Sequence, residues 1–590
     1  MIKNFDTLND FFNAANSDLH SGDIVVTGGY SAVNDGGAGT YYVISTENTN
    51  VASLVISGKT FSKGSVQLEL ILDSGEVFVE QFGASSTASF TANKAAIQAA
   101  IDSGARCINF RPTQYNVGDD ILISHPVDIV GNGAKLVLET DSTSTQLFRV
   151  EYGENTDIMP ASIKDMKIIG TRVESYGTDN TFSYYNILVN IVNAKQFTIS
   201  DVHFEYGSSA IDTTNSSVQI TDINIVNCVF RGFVTGISLC NVKGFKIKNC
   251  NIDLLDENGV TGLLMDSNVK SGVVEDVTIV NAFDSAIDYW NGEWSKEIND
   301  ITIKDATDRI LFKNLNIEKC LYGIKINFSD VPIWVSNAIA TDVTYGVSMD
   351  CAKNVSIMHS SISLLPPETA PEDAVSVYME GYVQAEFKHV QFEFPWDFQY
   401  TGICAHEEAT DVGFIDCTIQ KTDIDSIPGV TIPKGFGHIG THYVGEYKYA
   451  MTFDGCEFRS YIKNYATTVA GNEEEITNYN FPMMLSALNE TDSKLIIKNC
   501  RFVNENTCTV PYFKLDGGKF DNIVVYNCFF ENYNYKPSED SSVYPLFGKL
   551  TNNGLSCDVD EHNIFAKCNM RSSEPVRNTG TTINETKSYI

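Results

Sequence analysis

Long apolar runs are missing. No stretch of about 18 apolar residues occurs in the 590-residue chain, which excludes a spanning helix, so membrane insertion is not expected. Basic residues are few, 41 Lys plus Arg against 75 Asp plus Glu, a net charge of −34. Such a surface repels nucleic acid and anionic membranes while keeping a long β-protein soluble. The sequence also lacks CxxC pairs, Cys/His clusters with ligand spacing and a DxDxDG calcium loop; no metal or other cofactor is expected. The opening MIKNFDTLNDFFNAAN has no basic-then-apolar signal segment, so synthesis in a cytoplasm without standard export is expected. With 15 prolines and 43% apolar residues, the chain has material for an ordered core.

What is present is repetition. From Phe197 to Ile419 a phrase recurs, apolar-x-apolar-x-Asn/Asp-x-x-Phe/Ile: FTISDVHF from Phe197, INIVNCVF from Ile223, FKIKNCNI from Phe245, VVEDVTI from Val273. LFKNLNI from Leu311, VSIMHSSI from Val355, AEFKHVQF from Ala385 and VGFIDCTI from Val412 continue it. A second phrase, a small residue followed by alternating apolar positions, starts at Ala210, Gly236, Gly262, Ala286, Gly323, Gly346, Ala374 and Gly402. Successive starts differ by 26, 26, 24, 37, 23, 28 and 28 residues. A period in the twenties carried by period-two strands is the mark of a solenoid. Each unit offers short strands and no amphipathic helix, so the units stack as coils of a single-stranded parallel β-helix, an all-β fold. Cys228, Cys250, Cys417, Cys456, Cys500 and Cys528 follow the Asn/Asp (or Gly455) of the phrase, a column of free thiols packed as small hydrophobes.

Residues 1–80 read as a small β-rich N-terminal domain, two apolar strands around the turn Asn34-Asp35-Gly36-Gly37. A helix is predicted over 92–102, with Thr91 as N-cap, Ala96, Ile97, Ala100 and Ile101 on one face and Gly104 ending it. It would cap the apolar end of the stack, whose first coils start at Ile121. The β-helix runs over 81–570, with insertions around 420–480, and 571–590 form a polar C-terminal tail.

The order NDGG, then QFGA, then TANKAAIQAAIDSG, then IVGNGAKL resembles bacteriophage tailspikes of the pectate-lyase-like superfamily. The likeness covers about 20–140 by motif and the rest by repeat pattern. Where that family has GDGxxDD before the helix, this chain reads ASSTASF. The resemblance implies a right-handed β-helix that forms a homotrimer on the phage tail or baseplate. The protein would then be part of the virion, acting at the bacterial cell surface. It would bind a capsule or other surface polysaccharide there, and depolymerise it.

Sites on a β-helix lie on outward faces, where side chains stack coil over coil. With the small residue as position one, the third position reads Asp212, Ser238, Leu264, Asp288, Lys325, Ser348, Ser376, Cys404. The fifth reads Thr214, Cys240, Asp266, Trp290, Asn327, Asp350, Tyr378, His406. Asp288 then neighbours Lys325, with Asp266 diagonally below and Trp290 above Asp266. Two carboxylates and an indole are the parts of a glycosidase: acid, base or nucleophile, and sugar platform. Lys325 favours Asp288 as base or nucleophile, and Asp266 beside the indole suits the acid. Asp284 is a further catalytic candidate, because FDSAID resembles a polygalacturonase segment. That segment's second aspartate is Ser285 here and its arginine Gly323, so pectin chemistry is not carried over. The long step after Asp288 places Glu293, a rival acid, and Trp294 on a loop over the groove. Asn327, Asp350, Tyr378, His406 and, farther along, Trp396 are candidate sugar contacts. The alternatives are a non-catalytic receptor-binding fibre, a polysaccharide lyase using Lys325 beside Asp288, and, last, a free-standing pectinolytic enzyme.

Overall fold

A computed structural model describes residues 1–422 except 15–17, 48–50, 73, 141–143, 154–158, 172–184, 214–215, 217, 256–258, 291–307, 330, 365–373, 396–399 and 407–409. Beyond 422 it describes strand segments between 439 and 586. The chain divides into two compact units, Met1–Lys270 and Ser271–Ile590. Among the described residues no helix is long and apolar enough to cross a membrane.

The first unit opens with a six-stranded sheet in the order Ile2–Phe5, Ile24–Thr27, Gly39–Ser45, Val66–Leu70, Thr60–Gly64, Val51–Ser57. Its first pair is parallel and the others are antiparallel. A short helix, Leu8–Asn13, was not foreseen; Thr7 caps it by accepting from Asp10 N–H, and Leu8 and Phe11 are buried. In the NDGG turn the Asp35 carboxylate accepts from Tyr30, Ser31, Ala32 and Gly37 N–H at 2.7–2.9 Å. The two motifs behind the family resemblance pack against each other here. A Cβ on Gly37 would lie 2.5 Å from the Glu80 carbonyl oxygen, and Gln81 Nε2 donates to Ala38 O at 2.8 Å.

The helix spans Phe90–Asp102, two residues earlier than predicted. Its N-cap is Ser89, not Thr91: Ser89 is extended (φ −64°, ψ 157°) and accepts from Ala92 N–H. Both residues are competent caps, and the choice falls to the one with extended backbone. The predicted apolar face, Ala96, Ile97, Ala100 and Ile101, is buried. So is Asn93, whose amide accepts from Ser85 N–H and donates to Ser85 O and Asn116 O. That amide joins the ASSTASF segment to the helix and to the strand Gln114–Val117.

In the large sheet, parallel pairing begins at Glu76–Phe78 with Cys107–Asn109 and continues to Asp128–Leu138, ahead of the predicted start at Ile121. Consecutive repeats then lie parallel and in register, as in the column Ile199, Ile225, Ile247. Phe204 and Phe230 stack with centroids 5.2 Å apart, about the strand spacing. In the second unit one core column runs Phe312, Val335, Ile357, Phe387, Phe414, Phe453, Ile497. Its Val335 belongs to Ile333–Asp350, a repeat absent from the eight phrases above, because WVSNAIA has the Asn but ends on Ala340 in place of Phe or Ile.

The Asn/Asp of the phrase turns the chain through left-handed backbone. Asp201, Asn227, Asn249, Asn314, Asn337, Asp416, Asn499 and Asn527 all have φ between 50° and 56°, a region that asparagine and aspartate tolerate best after glycine. Their side chains form ladders within each unit. Asn249 donates to Asn227 and Asn227 to Asp201, both at 3.1 Å; Asn337 donates to Asn314 at 3.1 Å. The next residue points inward, and Cys228, Cys250, Cys417, Cys456, Cys500 and Cys528 are buried there as free thiols.

Candidate functional site

In the second unit the strands Ser285–Trp290, Ile310–Asn327, Ile333–Asp350, Ala374–Glu380 and Tyr400–His406 lie side by side. Ile287, Tyr289, Ile324, Ile326, Val347, Met349, Val377 and Met379 are buried, so the residues between them form the opposite face. At Gly323 and Gly346 close approach requires the missing side chain. A Cβ on Gly346 would lie 2.3 Å from Ile362 Cγ2 and 2.5 Å from Ser376 O.

Register fixes which side chains share a column. Asp288 pairs with Lys325, Lys325 with Ser348, Ser348 with Tyr378 and Tyr378 with Cys404. The neighbouring column is Trp290, Asn327, Asp350, Glu380, His406. The predicted columns therefore slip by two residues at Ala374: Ser376, fully buried, takes the small-residue position, and Tyr378 moves to the column of Asp288. Alternation is blind to this slip, because a shift of two residues keeps every side chain on its face.

The structure brings Asp284, Asp288 and Lys325 together. Lys325 Nζ lies 3.5 Å from Asp288 Oδ2 and 3.7 Å from Asp284 Oδ2, and Ser285 Oγ donates to Asp284 Oδ2 at 2.9 Å. The Asp288 side chain is 14% exposed, against 26% for Lys325 and 28% for Asp284, so the ion pairs are screened less than surface ones. The ammonium also sits over the Tyr322 ring, 5.1 Å from its centroid.

Tyr322 starts a row that sequence reading missed. Its ring stacks on Tyr345 at 4.7 Å and 16°, and Tyr345 meets Tyr378 edge-on at 6.0 Å. Tyr378 Oη donates to Glu380 Oε2 at 3.4 Å. Burial raises the Tyr322 hydroxyl above its ordinary pKa, helped by the negative charges of Asp284, Asp288 and Glu380. Burial likewise holds Asp350 above the usual carboxylate range, partly offset by a hydrogen bond from Cys351. The signal for the row was legible as Tyr-Gly in two repeats, Tyr322-Gly323 and Tyr345-Gly346. Glu380 was missed through the slip at Ala374.

Of the remaining candidates, Asp266 belongs to the first unit. It ends the strand Thr261–Asp266, pairs with Cys240 and accepts from Ser267 Oγ at 2.7 Å. Trp290 and Asn327 are neighbours in the second column, and His406 is placed there by its backbone register with Glu380. Glu293, Trp294 and Trp396 lie outside the described residues. Among the described residues no group of three or more His, Cys, Asp or Glu is arranged to hold a metal ion.

No family model matches the chain, and no curated protein matches it. Solved structures do. One is tailspike protein 3 of bacteriophage CBA120, with 13% identity and a TM-score of 0.39, covering 81% of this chain and 67% of that one. The full-length tailspike protein 2 from an Escherichia coli O157:H7 bacteriophage has 10% identity and a TM-score of 0.39, with 76% and 51% covered. This chain thus spans about half the length of that second tailspike. The catalytic domain of a GH87 α-1,3-glucanase in complex with nigerose has 15% identity and a TM-score of 0.39, covering 70% and 74%. At these identities and TM-scores no residue role passes from any of them to this chain.

Proposed function

We propose that the chain is a right-handed parallel β-helix that binds a bacterial surface polysaccharide along one outward face and hydrolyses it, as a homotrimeric tailspike of a phage virion. One observation carries the chemistry: Asp284, Lys325 and Asp288 meet on a face whose alternate residues are core. Asp288, the less exposed of the two carboxylates, serves as base or nucleophile at the anomeric carbon, with Lys325 fixing its position. Asp266 is assigned the acid role on the sequence argument, with Glu293 its rival. Trp290, Asn327, Asp350, Tyr378, His406, Trp294 and Trp396 are assigned to sugar contact, and Tyr322, Tyr345 and Glu380 join them. The virion and trimer assignments rest on the NDGG, QFGA and IVGNGAKL motifs. The small β-rich domain over 1–80 would serve virion attachment or capping, ahead of the β-helix over 81–570 and the tail over 571–590.

A binding-only fibre has one observation in its favour, since Asp284 and Asp288 both engage a single ammonium, as in a structural ion-pair cluster. Size-exclusion chromatography of purified host capsule, before and after treatment with the protein, separates the readings. A shift to short oligomers that Asp288→Asn abolishes supports hydrolysis. Co-elution with intact polymer and no shift refutes it in favour of binding alone. Products absorbing in the ultraviolet as unsaturated sugars would instead mark a lyase.

A further inference from the structure

The charge around the Asp288 column says something about the glycan. Three adjacent columns carry the face: Tyr322 and Tyr345; Asp288, Lys325, Ser348 and Tyr378; and Trp290, Asn327, Asp350 and Glu380, the last two continued in backbone register by Cys404 and His406. With Asp284 at their edge they hold four carboxylates and a single Lys or Arg. That lysine is already engaged, its Nζ between Asp284 and Asp288 and over the Tyr322 ring. The next lysine along the chain, Lys353, lies past the strand end with its ammonium 5.1 Å from the Tyr382 centroid. Burial chiefly raises the Tyr322 hydroxyl, and three of these carboxylates add to the rise.

We infer that this face takes a glycan without carboxylates on the sugars it contacts, a neutral or amino-sugar polymer rather than a uronate-bearing one; this rests on the glycan reading above. A uronate entering here would meet Asp288, Asp284 and Glu380, and the one lysine of these columns already lies between two of them, so like charges brought together without water are rejected. Neutral sugars lose nothing, since their hydroxyls donate to carboxylates. The reaction class follows. Elimination needs a carboxylate on the reacting sugar and a cation given over to it, whereas hydrolysis needs only water. In hydrolysis the water's hydroxyl goes to the anomeric carbon and a proton to the departing oxygen.

The test is an array of purified bacterial surface polysaccharides, each uronate-bearing one printed beside its carboxyl-reduced form, probed with the full chain at low and at high salt. The expected result is binding to neutral members, and to reduced forms about tenfold over their uronate parents at low salt, with the ratio shrinking at high salt. Glu380→Gln narrows the ratio. Equal or stronger binding to the uronate parents overturns the inference while leaving the glycan reading in place. Binding to no polysaccharide, by a protein that melts cooperatively, overturns the glycan reading and this inference with it.

Discussion

Replacing Lys325 by Met keeps the length of the stem and removes the ammonium that two carboxylates share. Its Nζ is 3.5 Å from Asp288 and 3.7 Å from Asp284, so the two facing oxygens are at most about 7 Å apart. At an effective dielectric of about 20, each attraction is gross about 4.5 kcal/mol, and the repulsion left behind is about 2.4 kcal/mol. Desolvation of the ammonium in the wild type cancels much of the first figure, and the partial exposure of all three groups trims both. The net expectation is a loss of about 2 kcal/mol at neutral pH. Denaturant unfolding measures it, in a cycle with Asp288→Asn. Because the Asp288 charge is part of what Lys325 offsets, the double variant should be less destabilised than the sum by about 1 kcal/mol. Strict additivity would refute the ion-pair account. Polymer cleavage should be lost in the same variant, since Asp288 loses the group that positions it.

Phe414→Ala removes a fully buried ring stacked on Phe387 and Phe453, each at 4.8 Å. It should cost about 3–5 kcal/mol in unfolding experiments, with Phe414→Leu costing clearly less. Asp35→Ala strips the acceptor from four backbone N–H groups and should cost about 2 kcal/mol; hydrogen exchange at Tyr30, Ser31, Ala32 and Gly37 should accelerate. Burial opposes ionisation of Asp35, but those hydrogen bonds outweigh it and hold its pKa below the ordinary value. Its stabilising contribution is therefore present above the unfolded pKa and lost as pH falls through the lowered one. Glu80 is the opposite case: burial raises its pKa despite hydrogen bonds from the Tyr115 hydroxyl and Arg111 N–H. Its contribution is full below the unfolded pKa and lost as pH rises through the folded value. Melting curves of wild type and Glu80→Gln should diverge in the variant's favour from acid to neutral pH; parallel pH profiles would refute this.

Sequence alone determined the parallel stacking of repeats, because a period in the twenties built from period-two strands has few other ways to bury its apolar faces. It also marked the turn residues, since only a few residue types accept left-handed backbone, and Asn227, Asn337 and Asn527 stand where the chain takes it. The predicted helix face was legible from its spacing, and its N-cap was not, because Ser89 and Thr91 are chemically interchangeable until the backbone chooses. Register across insertions belonged to the tertiary structure. Ala374 and Ser376 both satisfy a rule for small residues, and contact with Gly346 decided between them. Asp288 beside Lys325 could be read from position counting alone. That Lys325 also reaches back to Asp284, over the ring of Tyr322, depended on where long side chains lean. Sequence spacing does not encode that lean, because it is set by packing against neighbouring strands.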